Sequence, residues 1–308
     1  MTERLALAIH PATGWHSGDI GTISREAEDA SFEAIFTTDF RNDGLATALF
    51  MGQQTSRIKV GTFVANIYLR NAYVCAQAAA FITEVTSGRM VLGLGVSHPV
   101  VNSQLGIDMG VPLPTLRTYV TDVQNWLQRK GPEFLVSVRP LDASVPIYVA
   151  ALSSKSVEQA GEIADGIMPI FWPPSRVTQS QTWIQRGRSK APERGKLEIA
   201  LGLPAFVGED LNAMRDIARR EVGFYAAVPT YQRVFRLAGF QDEADKAERG
   251  ATVDAISNRL LDAFCLVGPR ERCLEQLAAF REAGVDLPIL YSPIDMQAAQ
   301  AVVKAFRQ

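Results

Sequence analysis

The chain has 308 residues, 47% of them hydrophobic and 21% charged, with a formal net charge of −2 and a pI near 6.0. That is ordinary globular composition, long enough for one large α/β barrel or two medium domains. The balanced charge gives no general pull toward nucleic acid or an anionic membrane, and no apolar run approaches the roughly 18 residues of a spanning helix.

The N-terminal stretch MTERLALAIHP carries five apolar residues in a row before His10, too few for a signal-peptide core. Cys75, Cys265 and Cys273 form no C-x-x-C pair and read as small buried hydrophobes of a cytoplasmic, reducing environment. With only three histidines beside them, no metal site is expected.

RLALAIH (4–10) reads as the first strand, and 19–31 as a helix with Ile20, Ile23, Ala27 and Ala30 on one face. EAIFTTD (33–39) is a second strand, followed by a short helix from Leu45 to Gly52. RIKVGTFVANIYL (57–69) holds the third strand, and 72–86 is helical, with Val74, Ala78, Phe81, Ile82 and Val85 along one face. RMVLGLGV (89–96) is the fourth strand. Leu116, Val120, Val123 and Leu127 mark a helix inside an otherwise irregular insertion at about 100–144, whose end (130–145) reads as an excursion or short hairpin. VPIYVAAL (145–152) is a fifth strand, leading into the serine-opened helix SSKSVEQAGEIAD. GIMPIF (166–171) and LEIALGLPAFVG (197–208) are the sixth and seventh. A helical insertion follows at about 209–264, assigned to packing or subunit contact, and AFCLVG (263–268) is a short strand or helix end. A helix over 269–283 closes at Gly284, DLPILYSP (286–293) is the last strand, and 295–306 is the last helix.

Eight main strands alternating with helices argue for parallel strands joined by crossover helices. Eight closes a (β/α)8 TIM barrel, here with insertions, and no Pro/Gly/Ser-rich linker divides residues 1–308 into separate domains. The alternative is an open, doubly wound sheet.

The segment SGRMVLGLGVSHPVVN (87–102) tests that alternative. A dinucleotide-binding turn needs G-x-G-x-x-G between strand and helix. Gly93-Leu94-Gly95 continues as Val96-Ser97-His98, without the third glycine, and position 115 is Thr where an acidic partner would fall. The Rossmann reading is rejected. In a barrel these glycines end the fourth strand, where a missing Cβ relieves crowding or lets backbone or a flat ligand approach.

TSRIKVGTFVANIYLRNAYVCAQAAAFITEVTSGRMVLGLGVSHP (55–99) resembles the core signature of the bacterial luciferase-like flavin monooxygenase superfamily, which includes oxidoreductases dependent on the deazaflavin coenzyme F-420. FTTDF (36–40), VPIYVAALSSKSVEQAGEIADGIM (145–168) and LVGPRERCLEQLAAFREAGVD (266–286) resemble further segments of it. The likeness is weak over 100–144 and 170–262.

The resemblance implies a luciferase-like barrel and a redox enzyme acting on a small organic substrate. The cofactor would be coenzyme F-420, passing hydride at its C5, or FMN, whose reduced form reacts with oxygen; a non-catalytic flavin-binding barrel is the third option. It also implies a strand-three bulge beneath the cofactor ring, with a non-prolyl cis peptide at Phe63–Val64 and Asn66 toward the ring's polar edge. Asp39 matches an aspartate at the end of strand two, while Phe40 stands where many deazaflavin-dependent relatives have a catalytic histidine. His98, at the end of strand four, is the replacement acid–base group, and His10, at the end of strand one, ranks behind it. Ala151, Leu152, Ser153, Ser154, Lys155 and Ser156 would hold the cofactor's phosphate at a helix start, with Gly166 passing nearby by backbone. A homodimer is expected on the same footing. A metal-dependent hydrolase would have only His10, Asp39 and His98 to work with, too few for a site.

Overall fold

Short, wholly buried apolar runs set the strands. They are β1 (Ala6–Ile9), β2 (Ala34–Thr37), β3 (Lys59–Thr62), β4 (Ala65–Asn66), β5 (Met90–Gly95), β6 (Ile147–Val149), β7 (Gly166–Ile167), β8 (Glu198–Val207), β9 (Leu266–Gly268) and β10 (Leu287–Tyr291). The computed structural model describes residues 3–10, 14–136 and 144–308. The strands pair in the order β1, β2, β3, β5, β6, β7, β8 and β10, and β10 pairs back with β1, so the parallel ring is closed. β4 resumes β3 after a break and pairs with the upper half of β5, while β9 lies beside the far half of β8. The open-sheet alternative is thereby excluded.

Between the strands run α1 (Ser17–Asp29), α2 (Gly44–Gln54), α3 (Ala72–Val85), α4 (Pro99–Gln104), α5 (Pro112–Leu127), α6 (Ser154–Ile163) and α7 (Pro174–Arg188). Then follow α8 (Leu211–Ala226), α9 (Pro229–Leu237), α10 (Gln241–Glu248), α11 (Asn258–Phe264), α12 (Arg270–Glu282) and α13 (Met296–Ala305). The described part of the insertion expected at 100–144 holds α4 and α5, the second covering the helix expected around Leu116–Leu127. The excursion expected over 130–145 begins with a 3-10 turn at Glu133–Leu135, and its centre, 137–143, lies outside the described residues. The sixth strand is shorter than expected. Pro169 withdraws a ladder donor and Phe171 takes φ +55°, so beyond Ile167 only the single bridge Ile170–Gly202 remains.

Alternation along the strands sorts the core. Leu5, Leu7 and Ile9 face the helices, whereas Ala6, Ala8, Ala34, Phe63, Val91, Met168, Ala200, Ile289 and Tyr291 fill the barrel. The same interior cluster continues without a break into Tyr231, Phe235, Leu261 and Phe264, so α8 to α11 are packed over one end of the barrel. The opposite end carries ion pairs. Arg4 bonds Glu33 at 2.6 Å and Glu198 at 3.0 Å, and Lys59 reaches Glu33 at 3.0 Å.

Candidate functional site

The carboxyl ends of the strands converge under α8 and α9, where a barrel's chemistry is expected. Their geometry starts from the break in strand three. β3 stops at Thr62, the Phe63–Val64 peptide is cis, and β4 resumes at Ala65. Two glycines of β5 make room for that break. A Cβ on Gly93 would lie 2.0 Å from the Thr62 carbonyl oxygen, and one on Gly95 would lie 2.5 Å from Val64 Cγ2. Thr62 locks the register by donating its hydroxyl to the Gly93 carbonyl (2.7 Å) and accepting from the Gly93 N–H (3.1 Å). The space freed by Gly93 and Gly95 is thus taken by the neighbouring strand. The Phe63 ring turns into the barrel, where Gly202 leaves it room and Tyr291 stands 5.7 Å away, ring to ring.

Asp39 is fully engaged. One oxygen accepts from the Gly44 N–H (2.7 Å), the other from the Asn66 N–H (3.0 Å), and Arg70 donates to both (2.7 and 3.0 Å). The Asp39 side chain is 1% exposed. Asn66 donates to Asn102 (2.8 Å), which donates to the Val96 carbonyl (2.9 Å). The result is a buried polar chain that ties the ends of β2, β4 and β5 together. It holds both Asp39 and Asn66 in the framework around the bulge.

Two histidines reach the mouth, each against a tyrosine. His98 follows β5 and caps the short helix α4 with its backbone; its Nε2 lies 3.3 Å from the Tyr231 hydroxyl. Its Nδ1 is buried without a hydrogen-bond partner, and burial lowers its pKa. His10 follows β1, with Nδ1 3.2 Å from the Tyr291 hydroxyl and its ring edge-on to Tyr291 at 4.0 Å. Burial lowers its pKa to about 4, so the imidazole is neutral at neutral pH. Tyr225 donates to the Tyr291 hydroxyl (2.9 Å) and packs edge-on against Tyr231 (5.2 Å), joining the two pairs.

The start of α6 lies after β6. Ser153 and Ser156 are occupied with each other: the Ser153 hydroxyl accepts from the Ser156 N–H (3.2 Å), and the Ser156 hydroxyl from the Ser153 N–H (2.9 Å). Ser154 and Lys155 are exposed on the first turn, Ala151 is buried and Leu152 half-buried. Leu152 gives its carbonyl to the buried Arg176, at 2.8 Å. Gly166 is separated from this group. It begins β7, pairs with Tyr148 and Glu198, and its missing Cβ faces the Tyr148 ring at 2.8 Å, toward the end of the barrel that Arg4 closes. As the first residue of a parallel strand, Gly166 lies at the amino end of β7, whereas Ser153–Ser156 follow the carboxyl end of β6.

The structure brings His10, His98, Phe63 and Val64 to one mouth and adds Tyr225, Tyr231 and Tyr291. Tyr291 was legible as the end of the last strand. Tyr225 and Tyr231 sit in helices whose pattern signals only packing. Phe171 and Trp172, which follow the sixth strand, are fully buried, Phe171 beneath Tyr225, Tyr231 and Phe235. Among the described residues no group of three or more His, Cys, Asp and Glu side chains is spaced to hold a metal ion, and no helix is long and apolar enough to cross a membrane.

A profile of luciferase-like monooxygenases matches residues 7–287. A Mycobacterium tuberculosis protein, provisionally described as a coenzyme F-420-dependent oxidoreductase, is 27% identical over 86% of this chain and 88% of its own length. The 5,10-methylenetetrahydromethanopterin reductase of Methanolobus tindarius is 26% identical over 92% of this chain and 93% of its own. Among solved structures, a coenzyme F-420-dependent secondary alcohol dehydrogenase superposes with a TM-score of 0.77 at 16% identity, covering 100% of both chains, a likeness of fold.

Proposed function

The chain belongs to the luciferase-like monooxygenase family, and from that footing we propose that it is an oxidoreductase using the deazaflavin coenzyme F-420 on a small organic substrate. The observation that carries this reading is the mouth itself. A buried imidazole nitrogen, His98 Nδ1, lacks a hydrogen-bond partner beside an otherwise aromatic lining, which is the condition of a site built for a polar atom of a ligand. The provisional description of the Mycobacterium tuberculosis relative supports the deazaflavin.

The residues present fit such a group in part. Phe63 and Val64 offer an apolar surface at the bulge. Ser154 and Lys155 on the first turn of α6 offer hydroxyl, charge and a helix start to an anionic tail. When bound, the cofactor supplies the hydride chemistry. The chain's own work is to orient the substrate, exclude water and handle the accompanying proton. Neutral His98, steadied by Tyr231, is placed to give or take that proton at the substrate's polar atom, and neutral His10 is the second group of this kind. Asp39 and Asn66 act one step removed, by holding the bulge.

Equilibrium binding of coenzyme F-420 and FMN to the purified chain tests the assignment. Tight binding of the deazaflavin with weak or no binding of FMN is the expected result; the opposite order gives the FMN-dependent monooxygenase reading instead, and binding of either without turnover over a substrate panel gives a non-catalytic barrel. On the family pattern the protein acts in the cytoplasm as a homodimer, and light scattering on the eluting protein reads the second point directly.

A further inference from the structure

A buried cation without an anion lies beside the start of α6. Arg176 stands in the first turn of α7, its guanidinium 5.5 Å from the Trp172 ring and 5.1 Å from the Trp183 ring. It is 6% exposed. Nη2 donates to the Leu152 carbonyl at 2.8 Å, while Nε is buried without a hydrogen-bond partner, as is Trp172 Nε1. Among the described residues no carboxylate pairs with this guanidinium. Arg89 shows how a guanidinium without a carboxylate is otherwise satisfied: Nε donates to the Thr86 carbonyl, Nη1 to Ile58 and Nη2 to Gly52. Arg176 has the single acceptor Leu152 instead. A buried charge is costly unless it is paired and hydrogen-bonded, and ring faces compensate it only in part. Burial and the like charge of Arg233 both lower its pKa, so neither steadies the cation.

The bond to Leu152 locates the charge that Arg176 lacks. Leu152 immediately precedes Ser153, the N-cap of α6. The Ser153 hydroxyl takes the Ser156 N–H, which leaves the N–H groups of Ser154 and Lys155 at the helix start with no acceptor inside the helix. β6 and β7 are neighbouring parallel strands, so the helices that follow them, α6 and α7, begin on the same side of the barrel. We propose that Arg176 is the buried counter-charge of a phosphate group seated on the first turn of α6. The Ser154 and Lys155 N–H groups bond its oxygens, and the guanidinium beside Leu152 balances its charge from within. The inference rests on the redox reading above only for the bearer of the phosphate, a cofactor tail. That tail is an internal diester in coenzyme F-420 and a terminal monoester in FMN. Lys155 is exposed and Arg176 buried, so salt screens the first charge and hardly reaches the second.

Inorganic phosphate and the cofactor-free chain test the site without any turnover. Calorimetric titration should show saturable phosphate binding, weakened at least about tenfold in Arg176→Gln and largely kept in Arg176→Lys. Glutamine retains a donor for the Leu152 carbonyl but carries no charge, so a purely structural arginine predicts the reverse: phosphate held as well by the glutamine variant as by the parent. That result would overturn the proposal. If Arg176→Gln does not fold, the parent decides alone. Its phosphate affinity should survive a rise from about 0.05 to about 0.5 M sodium chloride, and an affinity that vanishes would leave only the exposed Lys155. Coenzyme F-420 and FMN then separate the two bearers, since the one whose affinity falls in Arg176→Gln is the one whose phosphate sits here. Neither cofactor binding, with phosphate still held through Arg176, would end the redox reading and leave the site in place. Coenzyme F-420 bound equally by the parent and Arg176→Gln would keep that reading and end the site.

Discussion

Asp39 and Arg70 hold each other through two hydrogen bonds, 2.7 and 3.0 Å, with the carboxylate buried and the guanidinium nearly so. The pair spans the bulge of strand three, because the same carboxylate also takes the N–H groups of Gly44 and Asn66. Breaking a buried pair from one side leaves an uncompensated charge, which costs about 3–5 kcal/mol. Arg70→Met should therefore lower unfolding free energy by about that amount, and urea denaturation reads it. A variant as stable as the parent would mean that the network around Asn66 stands without the pair.

The base of the barrel predicts an acid limit. Burial raises the pKa of Glu33, but bonds to Arg4 and Lys59 outweigh it and hold the carboxyl down at about 2. A folded pKa below the unfolded value means that the carboxylate contributes stability above the ordinary carboxylate range, and that this contribution is lost as pH falls from about 4.5 through about 2. Urea midpoints measured across that window should fall steeply for the wild type and less steeply for Glu33→Gln. Identical slopes would remove the ion cluster from the acid response.

Gly95 and Val64 form a complementary pair of shapes. A methyl group at position 95 meets Val64 Cγ2 at 2.5 Å, so Gly95→Ala should destabilise by about 1–3 kcal/mol, the usual range for overpacking. Trimming the partner with Val64→Ala should recover part of the loss, and a double-mutant cycle measures the coupling. Additive effects would place the clash elsewhere.

His98→Ala should lower turnover about 10²-fold or more while cofactor affinity changes little, within the range of a proton-transfer group. Because burial lowers the histidine's pKa, its neutral form persists below the ordinary imidazole range. Activity that depends on neutral His98 should then hold as pH is lowered through about 6.5. A collapse of rate at that pH, or a fully active variant, contradicts the role.

Lys155→Ala tests the anionic tail. Lys155 is exposed on the first turn of α6, so its contribution to cofactor affinity should be modest and should fade as salt is raised. Equal affinity for parent and variant at low salt would move the tail away from this turn.

Much of the fold was legible in the chain itself, because its signals are local. Continuous buried runs such as Met90–Gly95 mark strands covered on both faces, and Ser153, Asp210 and Asp295 mark helix starts by the N–H groups their side chains accept. The missing third glycine after Gly95 excluded a dinucleotide turn without any coordinates. The strand-end rule also put His10 and His98 at the same end of the barrel, since parallel strands bring their carboxyl ends to one side. Contacts made across the ring could not be read this way. That Gly93 and Gly95 serve the adjacent strand, that Asp39 is committed to Arg70, and that Gly166 lies toward the other end all depend on pairing register, which a shift of one residue would reverse. Tyr225 and Tyr231 were the least visible of all. Their helical spacing reports only that one face is buried, and whether that face meets another helix or the open mouth of a barrel is decided when residues more than a hundred positions apart are brought together.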